Sequence, residues 1–301
     1  LTASTVNGSG TTPRTGAQAL ALLAVPLNSV IIRALHSGPK RRAELRRESG
    51  SPAQDALRSH LKALERIGVI VKHRRNPFRG SLEYELAEAG RELRFVAGAL
   101  ERWLAGAPEE PLQLGGEPAQ AVVDALAHAW SSTTLRALAE RPPSPTEPDA
   151  ATDWLRLGVG PIAAASRWER RNLPAQTATI GRVDAETGLM LAMPLVQLPP
   201  AASGSCRLVV ELSSEGDNGD DTGLAAVTVA ADSGRVVSWK ACNDGADAWA
   251  IGAPNAWFRA AIEADPAHLE LGGNRRLARA LLEGLYGALF GRRAGRMSYR
   301  Y

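Results

Sequence analysis

The stretch from Ser49 to Leu86 limits the possible folds more than any other part of this chain. "SGSP" (Ser49 to Pro52) reads as a turn, with Ser51 placed to cap a helix and Pro52 at its first position, where a missing N–H costs nothing. "PAQDALRSHLKALERIG" then sets Leu57, Leu61, Leu64 and Ile67 on one side at helical spacing, and Gly68 closes it. Its other side carries Gln54, Asp55, Arg58, Ser59 and Lys62. "VIVKHRR", "NPFRGS" and "LEYEL" follow as strand, turn and strand. Upstream, "AQALALLAVPLNSVIIRAL" is a helix that bends at Pro26 or two short helices, and "RRAELRRES" (Arg41 to Ser49) is a short one. Downstream, "AEAGRELRFVAGALERWL" is a long final helix.

The order helix, helix, helix, hairpin, helix is the layout of a winged helix-turn-helix, in which the third helix enters the major groove and the hairpin lies on the adjacent backbone. Charge supports a polyanionic partner. Between Arg33 and Arg79 there are thirteen Lys and Arg against four acids, a local charge of +9 in a chain whose net charge is only +3. Arg58 and Lys62 can bond guanine edges, and Gln54 can bond adenine, with Ser59 beside them. Lys72, Arg74, Arg75 and Arg79 of the hairpin would neutralise phosphates. His73 is a weaker candidate because it is mostly neutral near pH 7. Asp55 in the helix's first turn favours the helix dipole rather than contact with DNA.

"IIRALHSGPKRRAELRR", "LRSHLKALERIGVIVKHRR" and "LEYELAEAGREL" resemble the HxlR-like group of bacterial winged-helix transcriptional regulators. A Gly-Pro before the second helix and a Tyr-x-Leu-Thr-x-x-Gly ending of the wing recur in that group; here Ala87 replaces the Thr. The resemblance covers about Ala17 to Leu104 and implies binding to double-stranded DNA, usually as a dimer on two half-sites.

A second, incomplete copy is expected downstream. With a shift of 103, Ile32 to Leu35 lies opposite Leu135 to Leu138, and Pro39 opposite Pro142; with a shift of 65, Arg91 meets Arg156, Arg102 meets Arg167 and Trp103 meets Trp168. The two frames differ by 38 residues, which correspond to the reading helix and wing. Two alternatives remain. Either the loss is real and a helical spacer packs around Trp130, Trp154 and Trp168, or a stretch between Glu147 and Thr152 is missing from the sequence. Because the chain opens on Leu1 rather than Met, a longer translation product also stays open.

After "RWERRNLP" the pattern turns strand-like. "TATIGRV", "SCRLVVEL", "GLAAVTVAAD" and "RVVSWKAC" predict an antiparallel meander, with a helix in "DAETGLMLAMPLVQL" ending near Pro194 and two amphipathic helices, "PNAWFRAAIEA" and "NRRLARALLEGLYGALF", behind it. "SGRVVSWKA", "AWFRAAIEADPAHLELGG" and the last helix resemble sterol carrier protein type two over about Ala175 to Arg292, with Asn274 where that family often has Asp. The resemblance implies an apolar tunnel, for which Met190, Met193, Trp239, Trp249, Trp257 and Phe258 are candidate linings.

The fold class expected is therefore multidomain. A flexible tail (1–15) precedes an all-α/winged-helix (α+β) N-terminal DNA-binding domain (16–104), and a linker (105–118) leads to a partial second winged-helix copy (119–174). A C-terminal α+β domain with an antiparallel sheet (175–292) and a basic tail (293–301) complete the chain. The five His are scattered and the two Cys, Cys206 and Cys242, have no metal-ligand spacing, so neither a metal nor a cofactor is expected. "EGDNGDDTG" lacks the spacing and closing Glu of a calcium loop and reads as a solvated hairpin loop. Neither a Gly-x-Ser-x-Gly nor a phosphate-cradling Gly loop occurs, so catalytic residues are none and no enzyme is expected. The partners expected are double-stranded DNA and a hydrophobic or aromatic small-molecule ligand, with no membrane, in a cytoplasmic protein. It would act as a monomer with pseudo-dimeric tandem winged helices or as a homodimer. The rival expectation is a protein that sequesters a small molecule and keeps only vestigial DNA binding.

Overall fold

A computed structural model describes residues 16–74, 82–128, 133–140, 149–173, 182–212, 223–242 and 245–291. The expected helices and hairpin form in the expected order. α1 (Ala17–Ala24) and α2 (Pro26–His36) meet at 88° because Pro26 has no N–H to extend the first helix and instead opens the second. α3 (Arg42–Glu48), α4 (Gln54–Arg66), the hairpin strands β2 (Ile70–Arg74) and β3 (Leu82–Leu86), and α5 (Glu88–Ala105) complete the first unit. A two-residue strand, β1 (Lys40–Arg41), was not expected; it pairs with β3 to give the sheet order β1-β3-β2.

One local expectation is corrected. Ser51 does not cap α4, which begins at Gln54 after Ala53. Ser51 is left-handed (φ 58) and its N–H donates to Arg46 O at 2.8 Å, so it is spent closing α3. α4 is held by Leu57, Leu61 and Leu64, all buried with Leu35, Leu45 and Leu93. Each such side chain contributes roughly 1.5–3 kcal/mol on burial. A charge at Leu61 would undo this packing.

α6 (Glu117–His128), α7 (Thr133–Glu140), α8 (Ala150–Leu157) and α9 (Val159–Asn172) follow. α6 packs along α1, and α9 packs along α5 and α1. A separate small core around the tryptophans does not form: Trp168 and Trp154 join the first core, whereas Ala139 and Val159 join the second. The reason is that α5 offers a long apolar side (Leu93, Val96, Leu100, Trp103) that α8 and α9 must cover. Trp130 lies outside the described residues, as do 147 and 148 of the expected join between Glu147 and Thr152.

The last unit is α+β. α10 (Arg182–Ala192) runs into a short 3-10 turn at Met193–Leu195, as the Pro194 reading predicted. Residues 177–181 of the expected first strand lie outside the described residues, and Arg182 and Val183 are helical. β4 (Gly204–Glu211), β5 (Leu224–Asp232), β6 (Arg235–Lys240), β7 (Ala248–Gly252) and β8 (Glu270–Gly273) form one sheet in the order β6-β5-β4-β7-β8, with α11 (Pro254–Glu263) and α12 (Arg275–Phe290) packed against it. The sheet is mixed rather than purely antiparallel, because β7 pairs parallel to β4. β4 carries the consecutive buried run Leu208, Val209 and Val210, which suits a central strand covered on both faces. Asn274 caps α12 by accepting the Leu277 N–H at 3.3 Å.

Candidate nucleic-acid interface and apolar pocket

With its leucines inward, α4 turns Gln54, Arg58, Ser59 and Lys62 to solvent, as the spacing predicted. Arg66, one turn beyond Lys62, is exposed and extends the row; the i, i+4 repeat from Arg58 could have found it. Arg58 touches Asp55 at 3.7 Å, but both side chains are largely exposed, so the pair holds little energy. Lys62 has no ion pair among the described residues.

The inner edge of α4 is tied down by polar groups the sequence did not reveal. His60 Nδ1 and Asn28 Oδ1 lie 2.8 Å apart, and Asn28 Nδ2 donates to Leu22 O at 3.0 Å, which links α4 to the α1–α2 corner. Partial burial lowers the His60 pKa and keeps the ring neutral. Ser29 Oγ closes the same corner by donating to Leu23 O at 2.6 Å.

Of the expected phosphate-facing residues, Lys72 and Arg74 are exposed on β2, whereas Arg75 and Arg79 lie outside the described residues. Lys72 is not free. Glu65 at the end of α4 holds its ammonium at 2.7 Å, and that hydrogen bond and charge raise the Lys72 pKa. His73 faces Glu85 at 3.0 Å. The face as a whole is an exposed helix row beside a basic strand, both standing on one buried core.

Residues 26–110 match the family model for the HxlR-like helix-turn-helix. That stretch is an HxlR-like helix-turn-helix domain. The family is one of DNA-binding transcriptional regulators, and the match covers the amino-terminal third of the chain. No curated protein and no solved structure matches the chain. No single helix among the described residues is long and apolar enough to cross a membrane; the bent pair α1–α2 passes by length and composition together.

Behind the HxlR-like domain, α9 serves three neighbours at once. Toward the domain, Trp168 Nε1 donates to Ala89 O at 2.7 Å, Asn172 Nδ2 to Glu92 Oε2 at 2.9 Å, and Glu169 accepts the Gly16 and Ala19 N–H groups, capping α1 from a distance. Burial pushes the Glu169 carboxyl up, and those backbone donors pull it back toward the charged form. Toward the sheet unit, Arg167 donates to Ile262 O and Tyr286 Oη and lies 3.8 Å over the Phe290 ring. The third side, Val159, Ile162, Ala163 and Ser166, walls a half-open cavity of about 200 Å³ whose other walls come from α10, α11, α12 and β4.

Two of the six expected pocket residues, Trp257 and Phe258, line this cavity. Trp257 satisfies its Nε1 on Val209 O at 2.7 Å, leaving its ring as apolar wall. The other four do not line it. Met190 and Met193 are packed inside the sheet core, and Trp239 is fixed there by donating to Ala139 O at 2.7 Å. Trp249 lies across Gly272 on β8, where a Cβ would come within 2.0 Å of its ring. Large apolar type alone could not separate core from pocket. Among the described residues no group of acids, His and Cys could hold a metal. Cys206 is buried, with its thiol pKa pushed up to about 12, and Cys242 is half-buried.

Proposed function

We propose that this protein is a transcriptional regulator that binds double-stranded DNA through the exposed row on α4 and senses a hydrophobic or aromatic small molecule in the cavity beside α9. The observation that carries the DNA half is the combination of an HxlR-like match with an exposed Gln54, Arg58, Ser59 and Lys62 face on the helix after the turn. In this reading Arg58 and Lys62 read base edges, with Gln54 and Ser59 beside them. Lys72, Arg74, Arg75 and Arg79 hold phosphates.

The sensing half rests on α9, whose side chains wall the cavity and also hold α1 and α5 of the HxlR-like domain. A ligand that moves α9 therefore has a direct route to the domain; coupling of this kind is typically about 1–3 kcal/mol.

The region after the HxlR-like domain is read as an internal partner, a reduced second copy seated where a dimer mate would be. Its support is reciprocity. In a two-fold interface, if residue i touches j of the mate, then j touches i of the mate. With the 65-residue shift, Trp103 corresponds to Trp168, and Ala89 to Trp154. Trp103 Nε1 donates to Trp154 O at 2.8 Å, and Trp168 Nε1 donates to Ala89 O at 2.7 Å, which is the same bond seen from each side. α1 likewise packs on α6, which holds its counterpart at a shift of 103.

The test is binding of promoter DNA from the protein's own locus by the wild type and by Arg58→Ala and Lys62→Ala. Loss of a bidentate base contact costs about 1–3 kcal/mol, or roughly ten- to a hundredfold in affinity. If both variants bind like wild type with unchanged melting temperature, the assignment of α4 is wrong, and a sequestering role becomes the better reading.

A further inference from the structure

Between Glu140, which ends α7, and Ala150, which starts α8, the chain has nine residues. At the shifts of 103 and 65 these two residues correspond to Ser37 and Glu85, between which the HxlR-like domain has forty-seven residues carrying β1, α3, α4, β2 and most of β3. α4 alone takes thirteen, so nine residues cannot hold a reading helix with the helix and turn that precede it. The join ends in a finished helix start: Asp149 Oδ1 accepts the Ala151 and Thr152 N–H groups at 3.1 and 3.2 Å, and Asp149 Oδ2 accepts the Thr152 hydroxyl at 2.6 Å. Charge changes with it. Residues 117–172 hold seven acids and six arginines, a net of −1 against the +9 of the reading region. Four of those arginines are engaged, Arg136 by Glu140, Arg156 by Asp153, Arg167 by Ile262 O and Arg170 by Asn255 Oδ1, so this side offers phosphates little.

A second chain cannot restore the missing helix by the same geometry, because the face it would use is filled. Trp103 stacks on Trp154 with ring centroids 4.5 Å apart, each indole N–H donates to the other residue's carbonyl, and Asn172 Nδ2 donates to Glu92 Oε2. A mate could reach α5 only by displacing α8 and α9. A helix-turn-helix dimer reads two half-sites about one helical turn apart because its two-fold axis sets two identical helices on one face of the duplex. Here the pseudo-two-fold axis relates α4 to no counterpart. We propose that this protein reads a single block of duplex DNA without inverted symmetry, within about one helical turn, using one reading helix per chain and no second half-site. This inference deepens the DNA-binding role proposed above and rests on it and on the internal-partner reading.

The test uses the full chain to select duplexes from a library whose random core is several helical turns long, and sedimentation to count chains per selected duplex. The expected product is one enriched block with no inverted repeat, bound by one chain. A duplex carrying that block twice, as an inverted repeat one turn apart, should bind each chain no more tightly than the single block does. Arg58→Ala should bind the selected block at least tenfold more weakly, as the loss of a base contact requires. If the free chain sediments as a single 31.9 kDa species and the selection still yields an inverted or direct repeat bound cooperatively by two chains, the inference falls alone. A free chain that is already a dimer removes the internal-partner reading as well. If no block is enriched, or if Arg58→Ala binds it like the wild type, the assignment of α4 as the reading helix fails and the inference fails with it.

Discussion

His60 and Lys72 show how single residues set the α4 surface. His60 stays neutral in the fold, whereas in the unfolded chain it takes up a proton near its ordinary value of 6.5. Its contribution to stability is therefore present above that pH and is lost as pH falls through 6.5 toward the lower folded value. The drop in melting temperature between pH 7.5 and 5.5 should be smaller in His60→Gln than in the wild type; equal drops would remove His60 as the cause. Lys72 is occupied by Glu65. Glu65→Gln should release it for a phosphate and steepen the salt dependence of DNA binding by about one counterion, read as the slope of log K against log salt. An unchanged slope would mean that the pair opens freely on DNA.

At the scale of elements, α9 is the part with the most duties. Its Glu169 caps α1 across a large sequence separation, and its Trp168 and Arg167 point into different cores. Glu169→Ala should cost about 1 kcal/mol or somewhat more, as the loss of a helix cap does, measured by urea unfolding. An unchanged midpoint would show that the α1 N–H groups find other partners. Trp103→Ala should cost far more, about 3–5 kcal/mol, because it removes both a buried ring stacked on Trp154 at 4.5 Å and one side of their mutual hydrogen bonds.

At the scale of the whole molecule, shared helices make two cores into one cooperative body. Ala139 of α7 and Val159 of α9 lie in the sheet core, while Ile162 and Trp168, also of α9, lie in the HxlR-like core. Thermal unfolding followed by tryptophan fluorescence and by far-ultraviolet circular dichroism should give coincident curves. Two separated transitions would show that α9 does not transmit between the units. If the region after α5 fills the place of a dimer mate, light scattering should report the mass of a single 31.9 kDa chain; a stable dimer would argue against the internal partner.

The amino-terminal domain was legible in the sequence because its signals are local. Leucines at helical spacing fixed which side of α4 is buried, Pro26 and Gly68 marked boundaries, and the basic face followed from what remained. Where local signals competed, the turn decided: Ser51 takes a left-handed backbone at the end of α3, and α4 starts only at Gln54, two residues too late for Ser51 to stand at its N-cap. The sheet showed its three long strands, whereas β7 and β8 were hidden, since short strands gain their stability from pairing with partners distant in sequence. The candidate pocket was the least legible part. Met190, Met193, Trp239 and Trp249 have the same chemical character as Trp257 and Phe258, and only packing sends four into the core or across a glycine and two to the cavity wall. The sequence by itself determined which residues are available to form a basic helix face. The tertiary structure alone decided that one later helix, α9, would hold that domain with one side and wall an apolar cavity with another, because such contacts depend on which distant surfaces meet.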